Sequence, residues 1–316
     1  MDGLASASLV KNATDAEIIL VDYGDIIEKL SSIKKATEVY ICDIGLNKTL
    51  SESFLKEIKR ITCFSVVHYI DHHPLDIDLK NKLCDLNVDL CHSVEESASV
   101  LTYLKLVDKL KSGANILATY GAVTDYMDDA PYAKKEISRF DRQFILLEST
   151  LLTYALLGCN DDYSFRNSIV IALSEMKFPH EIDGVLEYAN KGLEQITRLM
   201  NYVSKNGVKR TWISVMESKE GSNGIIANLL IGAFDTPVGV SYRLVKDEDI
   251  YEISLRGAYT SKYDLGRIVT KVTAMIGGVG GGHKKASGAR IPKKFLNDFL
   301  DMIELQIDMT NAPSRH

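Results

Sequence analysis

The sequence has few cysteines and no apolar run long enough to cross a membrane. The five cysteines are odd in number and include no Cys-x-x-Cys pair, which fits a reducing compartment. Cys42 and Cys63 lie in or beside strand-like runs, where a buried thiol is the better interpretation. The first residues also lack the charged-then-apolar order of a signal peptide. We therefore expect a cytoplasmic protein with no membrane partner.

Positive charge is also in short supply. Lysine and arginine number 37 against 43 aspartate and glutamate residues, which gives a net charge of −6. This balance argues against a protein that contacts phosphates along a duplex, although a local basic patch could still bind a compact nucleotide. The remaining composition is that of an ordinary globular protein, and 316 residues predict two domains.

The first part of the chain alternates between apolar strands and helices. Strands are predicted at Glu38–Cys42, Phe64–Ile70 and Val88–Cys91, and a further strand is predicted at Ala16–Val21. Helical patterns of about ten residues lie between them, which indicates βαβ units. The predicted fold class is therefore α/β, with a parallel sheet and helices on both of its faces.

The pattern changes after a long amphipathic helix. We predict a catalytic domain over residues 1–180, a helical linker over 181–205 and a smaller α+β domain over 206–316. The shift from helices to mixed strands and helices supports this division.

The stretch Asp71-His72-His73 is the densest group of residues that could bind a metal or take part in catalysis. It ends a β-branched apolar run, and Pro74 stops the strand. Ligands of open parallel sheets bind at that edge, and imidazole beside carboxylate suits a first-row transition metal. The alternative is a solvated loop that happens to contain two histidines.

Further carboxylates follow other elements of the same region. Asp43 ends the strand before Asp71, and successive strand tips lie on one edge of a sheet. Carboxylates that converge need a cation. Asp125 follows a small apolar turn and could point inward. Asp2 could be no more than a helix N-cap.

A glycine-rich stretch, Gly277 to Gly288, marks the last third of the chain. We expect it to be a loop that approaches a ligand closely, because its glycines permit positive φ angles and its N–H groups can bind an anion. His283, Lys284, Lys285 and Arg290 would add positive charge, which suggests phosphate. A flexible connecting loop is the alternative.

These motifs together resemble the DHH/DHHA1 phosphoesterases. That family includes RecJ-like exonucleases, nano-RNases that also act on 3′-phosphoadenosine 5′-phosphate, and cyclic-dinucleotide phosphodiesterases. The resemblance covers nearly the whole chain. The residues that carry it are Asp2-Gly3, Asp43, Asp71-His72-His73, Asp125, Ser254-Leu255-Arg256 and Gly280-Gly281-Gly282-His283.

The resemblance implies a phosphoesterase that holds two metal ions, usually Mn²⁺, with Mg²⁺ as the other candidate, and that activates water for attack on phosphorus. The implied metal ligands are Asp2, Asp43, His72 and Asp125. The implied catalytic residues are Asp71, His72 and His73, where Asp71 orients His72 and His73 faces the substrate phosphate. The implied substrate-binding residues are Arg256, Gly281, Gly282 and His283.

The implied substrate is a short single-stranded oligonucleotide or a nucleotide. The substrate could be RNA, DNA, 3′-phosphoadenosine 5′-phosphate or a cyclic dinucleotide. A homodimer is also left open. An inactive scaffold in a nucleic-acid-processing assembly and a pyrophosphate or polyphosphate hydrolase are the alternatives. Because the family pattern places a strand and two further ligand positions before Asp2-Gly3, we expect Met1 to be an internal methionine of a longer chain, or else the metal site to be weakened.

Overall fold

Three parallel strands organise the first part of the molecule: β1 (Glu38–Cys42), β2 (Val66–Asp71) and β3 (Asp89–His92). Their order in the sheet is β1-β2-β3. The molecule is described from a computed structural model, which covers residues 1–22, 24–46 and 48–311. The predicted parallel sheet is confirmed.

Helices cover both faces of this sheet. On one face Val67 and Tyr69 of β2 share a core with Phe54 and Ile58, because alternate strand residues point to the same side. On the other face the hydroxyl of Thr102 lies 4.0 Å from the Cys42 sulfur. The helices of this region are α1 (Asp2–Thr14), α2 (Ile26–Ser32), α3 (Lys48–Ile61), α4 (Ile77–Asp85), α5 (Ala98–Leu106), α6 (Asn115–Thr124), α7 (Pro131–Arg139), α8 (Arg142–Gly158) and α9 (Tyr163–Ser174).

The predicted strand at Ala16–Val21 is wrong. This segment has no regular secondary structure, and Ile19 is 47% exposed. A strand needs a neighbour for its backbone hydrogen bonds. In the described part of the first sheet, β1 pairs with β2 alone and the segment joins neither sheet edge.

A long helix, α10 (Val185–Asn206), connects this region to the next. The chain divides into two compact units, Met1–Leu193 and Glu194–His316, at a point inside this helix. The limits that we predicted, 1–180, 181–205 and 206–316, stay predictions. Among the helices in the described ranges, none combines the length and the apolar character needed to cross a membrane.

The second unit is built on a six-stranded sheet. Its strands are β4 (Val208–Lys209), β5 (Ile213–Glu217), β6 (Val238–Val245), β7 (Ile250–Gly257), β8 (Val279–Gly282) and β9 (Ala286–Pro292). Their order is β4-β5-β6-β7-β9-β8, and β5 and β6 form the parallel pair. The helices are α11 (Asn223–Phe234), α12 (Leu265–Met275) and α13 (Leu296–Asn311).

The prediction that the glycine-rich stretch is a ligand-binding loop needs correction. Most of it forms strand β8 and the start of β9 rather than an open loop. The glycines are needed because α12 packs closely on β8. A β-carbon on Gly280 would lie 2.7 Å from a methyl of Val269, and one on Gly266 would lie 2.2 Å from the carbonyl oxygen of Gly282. Glycine density here reflects close packing of a helix on a strand.

Candidate metal centre

Asp2 lies in the first turn of α1 and is 2% exposed. Its carboxylate accepts hydrogen bonds from the backbone N–H of Ala98 at 2.8 Å and of Ser99 at 3.1 Å. These two groups begin α5, so Asp2 occupies the positive end of that helix. Asp2 is therefore not an N-cap, since Met1 holds that position of α1.

The buried position of Asp2 disfavours the charged form of its carboxyl group. Burial and the nearby charge of Asp43 raise its pKa, although Ser99 and His72 act in the opposite direction. A β-carbon on Gly121 would lie 2.5 Å from Asp2 Oδ1 and 2.1 Å from the Ser99 hydroxyl. Residue 121 must therefore be glycine for Asp2 to keep this position.

Asp43 follows β1 in the left-handed backbone region, with φ of 58°. Its N–H donates to the carbonyl of Ile70 at 3.0 Å, which ties the tip of β1 to β2. Gly3 lies close to the Asp43 carboxylate, since a β-carbon added at Gly3 would be 3.1 Å from Asp43 Oδ2. Aspartate tolerates this backbone conformation better than most residues, and the result places its carboxylate over the edge of the sheet.

His72 is the centre of the cluster. Its Nε2 lies 3.4 Å from Asp43 Oδ1, 3.4 Å from Asp125 Oδ2 and 4.0 Å from Asp2 Oδ2. Burial alone would lower the pKa of His72, but the hydrogen bond to Asp43 and the charges of Asp125 and Asp2 raise it to about 9. Without a metal, the imidazolium is the cation that these carboxylates surround.

Asp71 ends β2 and is completely buried. Its carboxylate accepts from Nδ1 of His73 at 2.9 Å and from the N–H of His73 at 3.2 Å, and the Tyr69 hydroxyl donates to it at 3.3 Å. The residue that these bonds position is His73. The predicted role of Asp71 toward His72 stays a prediction.

His73 is only partly buried, and its ring is fixed from two sides. Burial lowers the pKa of its imidazole, but the hydrogen bond to Asp71 and the charges of Asp71 and Asp43 together raise it. A β-carbon on Gly45 would lie 2.7 Å from Cγ of His73. Since Nδ1 is engaged by Asp71, a ligand that contacts a ring nitrogen of His73 would have to use Nε2.

Asp125 caps the C-terminal end of α6, and 40% of its side chain is exposed. Burial and the charge of Asp2 raise its pKa to about 6, although His72 opposes them. The side chains of Asp2 and His72 are each 3% exposed, and that of Asp43 is 18% exposed. Asp125 therefore marks the side on which the cluster opens to solvent.

The side chains fit a metal site. Two overlapping groups, Asp43–His72–His73 and Asp2–His72–Asp125, each bring their ligand atoms within 4.8 Å of one another. Like charges that meet in a buried place need a cation to offset their repulsion. Carboxylate oxygens with imidazole nitrogens suit Mn²⁺ and related first-row ions better than an all-oxygen site would. All four predicted metal ligands, Asp2, Asp43, His72 and Asp125, thus lie together.

The substrate-binding residues that we predicted lie in the second unit. Arg256 lines a cleft of about 570 Å³ together with Arg243 and Arg290. Gly224, the second residue of α11, leaves room for the Arg256 guanidinium, because a β-carbon there would lie 2.6 Å from it. An arginine beside a helix N-terminus is a favourable place for an anion.

The glycine-histidine motif lies outside this cleft. Gly281, Gly282 and His283 are not among the residues that line it, and their role in substrate binding stays a prediction. Two of the positively charged side chains that we expected to bind phosphate, Lys285 and Arg290, instead contact other protein groups. Lys285 donates to carbonyl oxygens of Ala258 and Tyr259, and Arg290 forms an ion pair with Glu252.

Sequence reasoning missed several groups that build the centre. The N–H groups of Ala98 and Ser99 and the close contacts of Gly45 and Gly121 join segments that are distant in the chain. Glycine spacing alone does not reveal such contacts. The one available signal was the position of Ser97 as a capping residue before an apolar helix, and its side chain does accept from Val100 N–H.

Comparisons with known proteins agree with this architecture. Residues 212–308 match the family model of the DHHA1 domain. No curated protein matches the chain.

Several solved structures share the fold. The DHH domain of a member of a family of ribosomal proteins is 14% identical, with a TM-score of 0.69 over 97% of this chain and 84% of that one. RecJ from Thermus thermophilus in complex with Mn²⁺ is 13% identical, with a TM-score of 0.63 over 98% of this chain and 50% of that one. The pGpG-specific phosphodiesterase PggH from Vibrio cholerae is 14% identical, with a TM-score of 0.54 over 98% and 96%.

Identities this low establish the fold alone. The fold, the DHHA1 match and the Asp71-His72-His73 motif at the tip of β2 agree with one another. The chain therefore carries a DHHA1 domain over residues 212–308, and its fold as a whole is that of the solved DHH-domain and RecJ structures.

Proposed function

We propose that the protein is a metal-dependent phosphoesterase that hydrolyses phosphodiester or terminal phosphate bonds of short oligonucleotides or nucleotides. The observation that carries the proposal is the convergence of Asp2, Asp43 and Asp125 on Nε2 of His72, all within 4.0 Å. Three carboxylates around one imidazole repel one another, and bound divalent cations would offset that repulsion more fully than the single charge of the imidazolium.

The residues of the centre have distinct roles in this proposal. Asp2, Asp43, Asp125 and His72 would hold the metal, and Mn²⁺ is the ion we propose first, with Mg²⁺ second. When bound, divalent ions would lower the pKa of water and offset the charge that develops on the phosphoryl oxygens. His73, oriented through Nδ1 by Asp71, would present Nε2 to the substrate phosphate.

The second unit supports a phosphorylated substrate. Arg256 lies against the first turn of α11, whose N-cap Ser222 makes no side-chain capping bond. The cleft around it also contains Asn223 and Ser254, which can bind a phosphate or a sugar. We propose that this cleft holds a phosphate of the substrate, and a volume of about 570 Å³ suits a nucleotide.

The test combines a binding measurement with turnover. Mn²⁺ binding is measured by calorimetry, and hydrolysis is measured with the 5′-phosphorylated dinucleotide pApA and with 3′-phosphoadenosine 5′-phosphate. We expect Mn²⁺-dependent turnover of one of these substrates. We expect His72→Ala to lose both metal binding and turnover, because it removes the ligand at the centre of the cluster.

His180→Ala is the matched control. His180 is a partly exposed histidine that pairs with Glu148 in another part of the first unit, so we expect this variant to behave like the unmodified protein. If the unmodified protein binds Mn²⁺ yet hydrolyses neither substrate, the proposed function is wrong.

A further inference from the structure

Helix α6 ends in a turn that presents an unusual residue beside the metal centre. The N–H of Tyr126 donates to the carbonyl of Val123 at 3.2 Å, and the N–H of Met127 donates to that of Ala122 at 2.9 Å. These two bonds are the Schellman motif, which requires a left-handed residue just after the helix. Tyr126 is that residue, with φ of 59°.

A tyrosine is disfavoured at this position. Glycine is the usual occupant, because a β-carbon clashes with the backbone in the left-handed conformation. Of the eight non-glycine residues with positive φ in the described ranges, six are aspartate or asparagine, the types that tolerate it best. The two exceptions are Met176, which packs against the core, and Tyr126.

Packing does not explain Tyr126. Its side chain is 76% exposed, whereas the next residue, Met127, packs against the hydrophobic core and thereby fixes the turn. The fold therefore gains little from the aromatic ring and keeps a strained backbone for it. Strain of this kind clusters at active sites and ligand-binding positions.

The location indicates which ligand. Tyr126 directly follows Asp125, which is the most exposed of the four proposed metal ligands. An exposed aromatic ring at the open side of a phosphoesterase centre can stack on a nucleobase, and such stacking tolerates any base.

We propose that Tyr126 is a specificity-determining residue that stacks on a base of the substrate next to the bond that is hydrolysed. This inference rests on the proposed function and narrows its substrate class to esters whose leaving or retained group carries a planar base. It predicts a preference for nucleotides over phosphoesters that lack a base.

The test compares pApA with an abasic analogue in which both bases are replaced by hydrogen. We expect Tyr126→Gly to lower kcat/KM for pApA by about 5- to 150-fold, the range for loss of one base stack, and to leave kcat/KM for the abasic analogue unchanged. We expect Tyr126→Phe to retain the preference for pApA. The melting temperature of Tyr126→Gly should not fall, since glycine suits this turn.

Tyr126→Asn is the matched control for side-chain loss, because asparagine tolerates positive φ. It should lose the same activity as Tyr126→Gly. Equal losses on pApA and on the abasic analogue, or unchanged turnover of pApA by Tyr126→Gly, would overturn the inference.

Binding of pApA in the presence of Mn²⁺, measured by calorimetry, separates this inference from the proposed function. If the unmodified protein binds pApA in a Tyr126-dependent way but hydrolyses no substrate, the proposed function fails and the stacking role stands. If hydrolysis occurs and neither binding nor turnover depends on Tyr126, the stacking role fails and the proposed function stands.

Discussion

Protonation of His72 couples metal binding to pH. With a pKa raised to about 9 by its carboxylate neighbours, His72 is protonated at pH 7 when no metal is present, and a metal ligand must be neutral. We therefore expect binding of Mn²⁺ at pH 7 to release a proton. Calorimetry in two buffers with different ionisation enthalpies measures this release directly.

The direction of the pH effect follows from the same groups. Metal affinity should rise with pH up to the pKa of His72 at about 9, because a smaller share of the imidazole must then lose a proton. It should fall further below about pH 6, where Asp125 also takes up a proton. Identical heats of Mn²⁺ binding in both buffers would contradict the assignment of His72 as a ligand.

Gly45 offers a test of how tightly His73 must be held. Gly45→Ala places a β-carbon 2.7 Å from Cγ of His73, so the ring must shift from the position in which Asp71 holds it. We expect kcat for phosphoester hydrolysis to fall by about 100-fold, the order seen for a misplacement of about 1 Å. Steady-state kinetics measures the loss.

Gly232→Ala is the control for that substitution. Gly232 lies in α11 and has no heavy atom within 4 Å of its β-carbon position. We expect unchanged kcat and a gain in the free energy of unfolding of about 0.5–1 kcal/mol from helix propensity. If Gly45→Ala keeps full activity, His73 does not need its present orientation.

At the level of single residues, the sequence predicted which side chains meet but not what holds them. Asp2, Asp43, His72 and Asp125 were named from motifs, and the structure brings them together. The hydrogen bonds of Asp2 to α5 join residues nearly a hundred positions apart. No local pattern encodes a contact of that kind.

Among the elements, the packing of α12 on β8 depends on glycine. In Gly266→Ala the new β-carbon would lie 2.2 Å from the carbonyl oxygen of Gly282, so helix and strand must separate. We expect a loss of about 1–3 kcal/mol in the free energy of unfolding, as for other overpacked contacts. Denaturant titration of the second unit's transition measures it.

Arg267→Ala is the matched control on the same helix. The Arg267 side chain is 90% exposed and pairs only with nearby Asp264 among its described ion pairs. A change within about 0.5 kcal/mol is expected there. Equal stability of Gly266→Ala and Arg267→Ala would show that the helix adjusts to a β-carbon without loss.

The helices and strands also show where the hydrophobic pattern of the sequence predicts an element correctly and where it does not. Strand β1 has the predicted limits, Glu38–Cys42, because a short apolar run between polar turns has few other solutions. Among the described residues, the strand predicted at Ala16–Val21 has no neighbour to pair with. The glycine-rich stretch was assigned to a loop because glycine density is similar in a ligand loop and in a strand packed closely beneath a helix.

For the whole molecule, the two units should respond to different ligands. The proposed metal ligands all belong to Met1–Leu193, and the Arg256 cleft belongs to Glu194–His316. A ligand stabilises the part that binds it, by about 2.7 kcal/mol at one hundred times its Kd. We expect Mn²⁺ to slow hydrogen exchange around α5 and α6, and a nucleoside monophosphate to slow it around α11 and β7. Exchange resolved by mass spectrometry measures both effects.

Two variants make this prediction specific. His72→Ala should lose the Mn²⁺ effect and keep the nucleotide effect, while Arg256→Ala should do the reverse. Nucleotide protection confined to the first unit would contradict the assignment of the Arg256 cleft. The homodimer, the cytoplasmic location and the preference for manganese stay predictions at this scale.

The anchoring of Asp2 on the first turn of α5 has a consequence for how the chain matures on the ribosome. Asp2 emerges long before the N–H groups that hold it, which belong to Ala98 and Ser99, and the last carboxylate is Asp125. The centre is therefore complete only after α6 has left the exit tunnel, and well before the DHHA1 domain is translated. Since domains fold in turn from the N-terminal side during synthesis, the nascent first unit could bind the metal that we propose while the second is still being made.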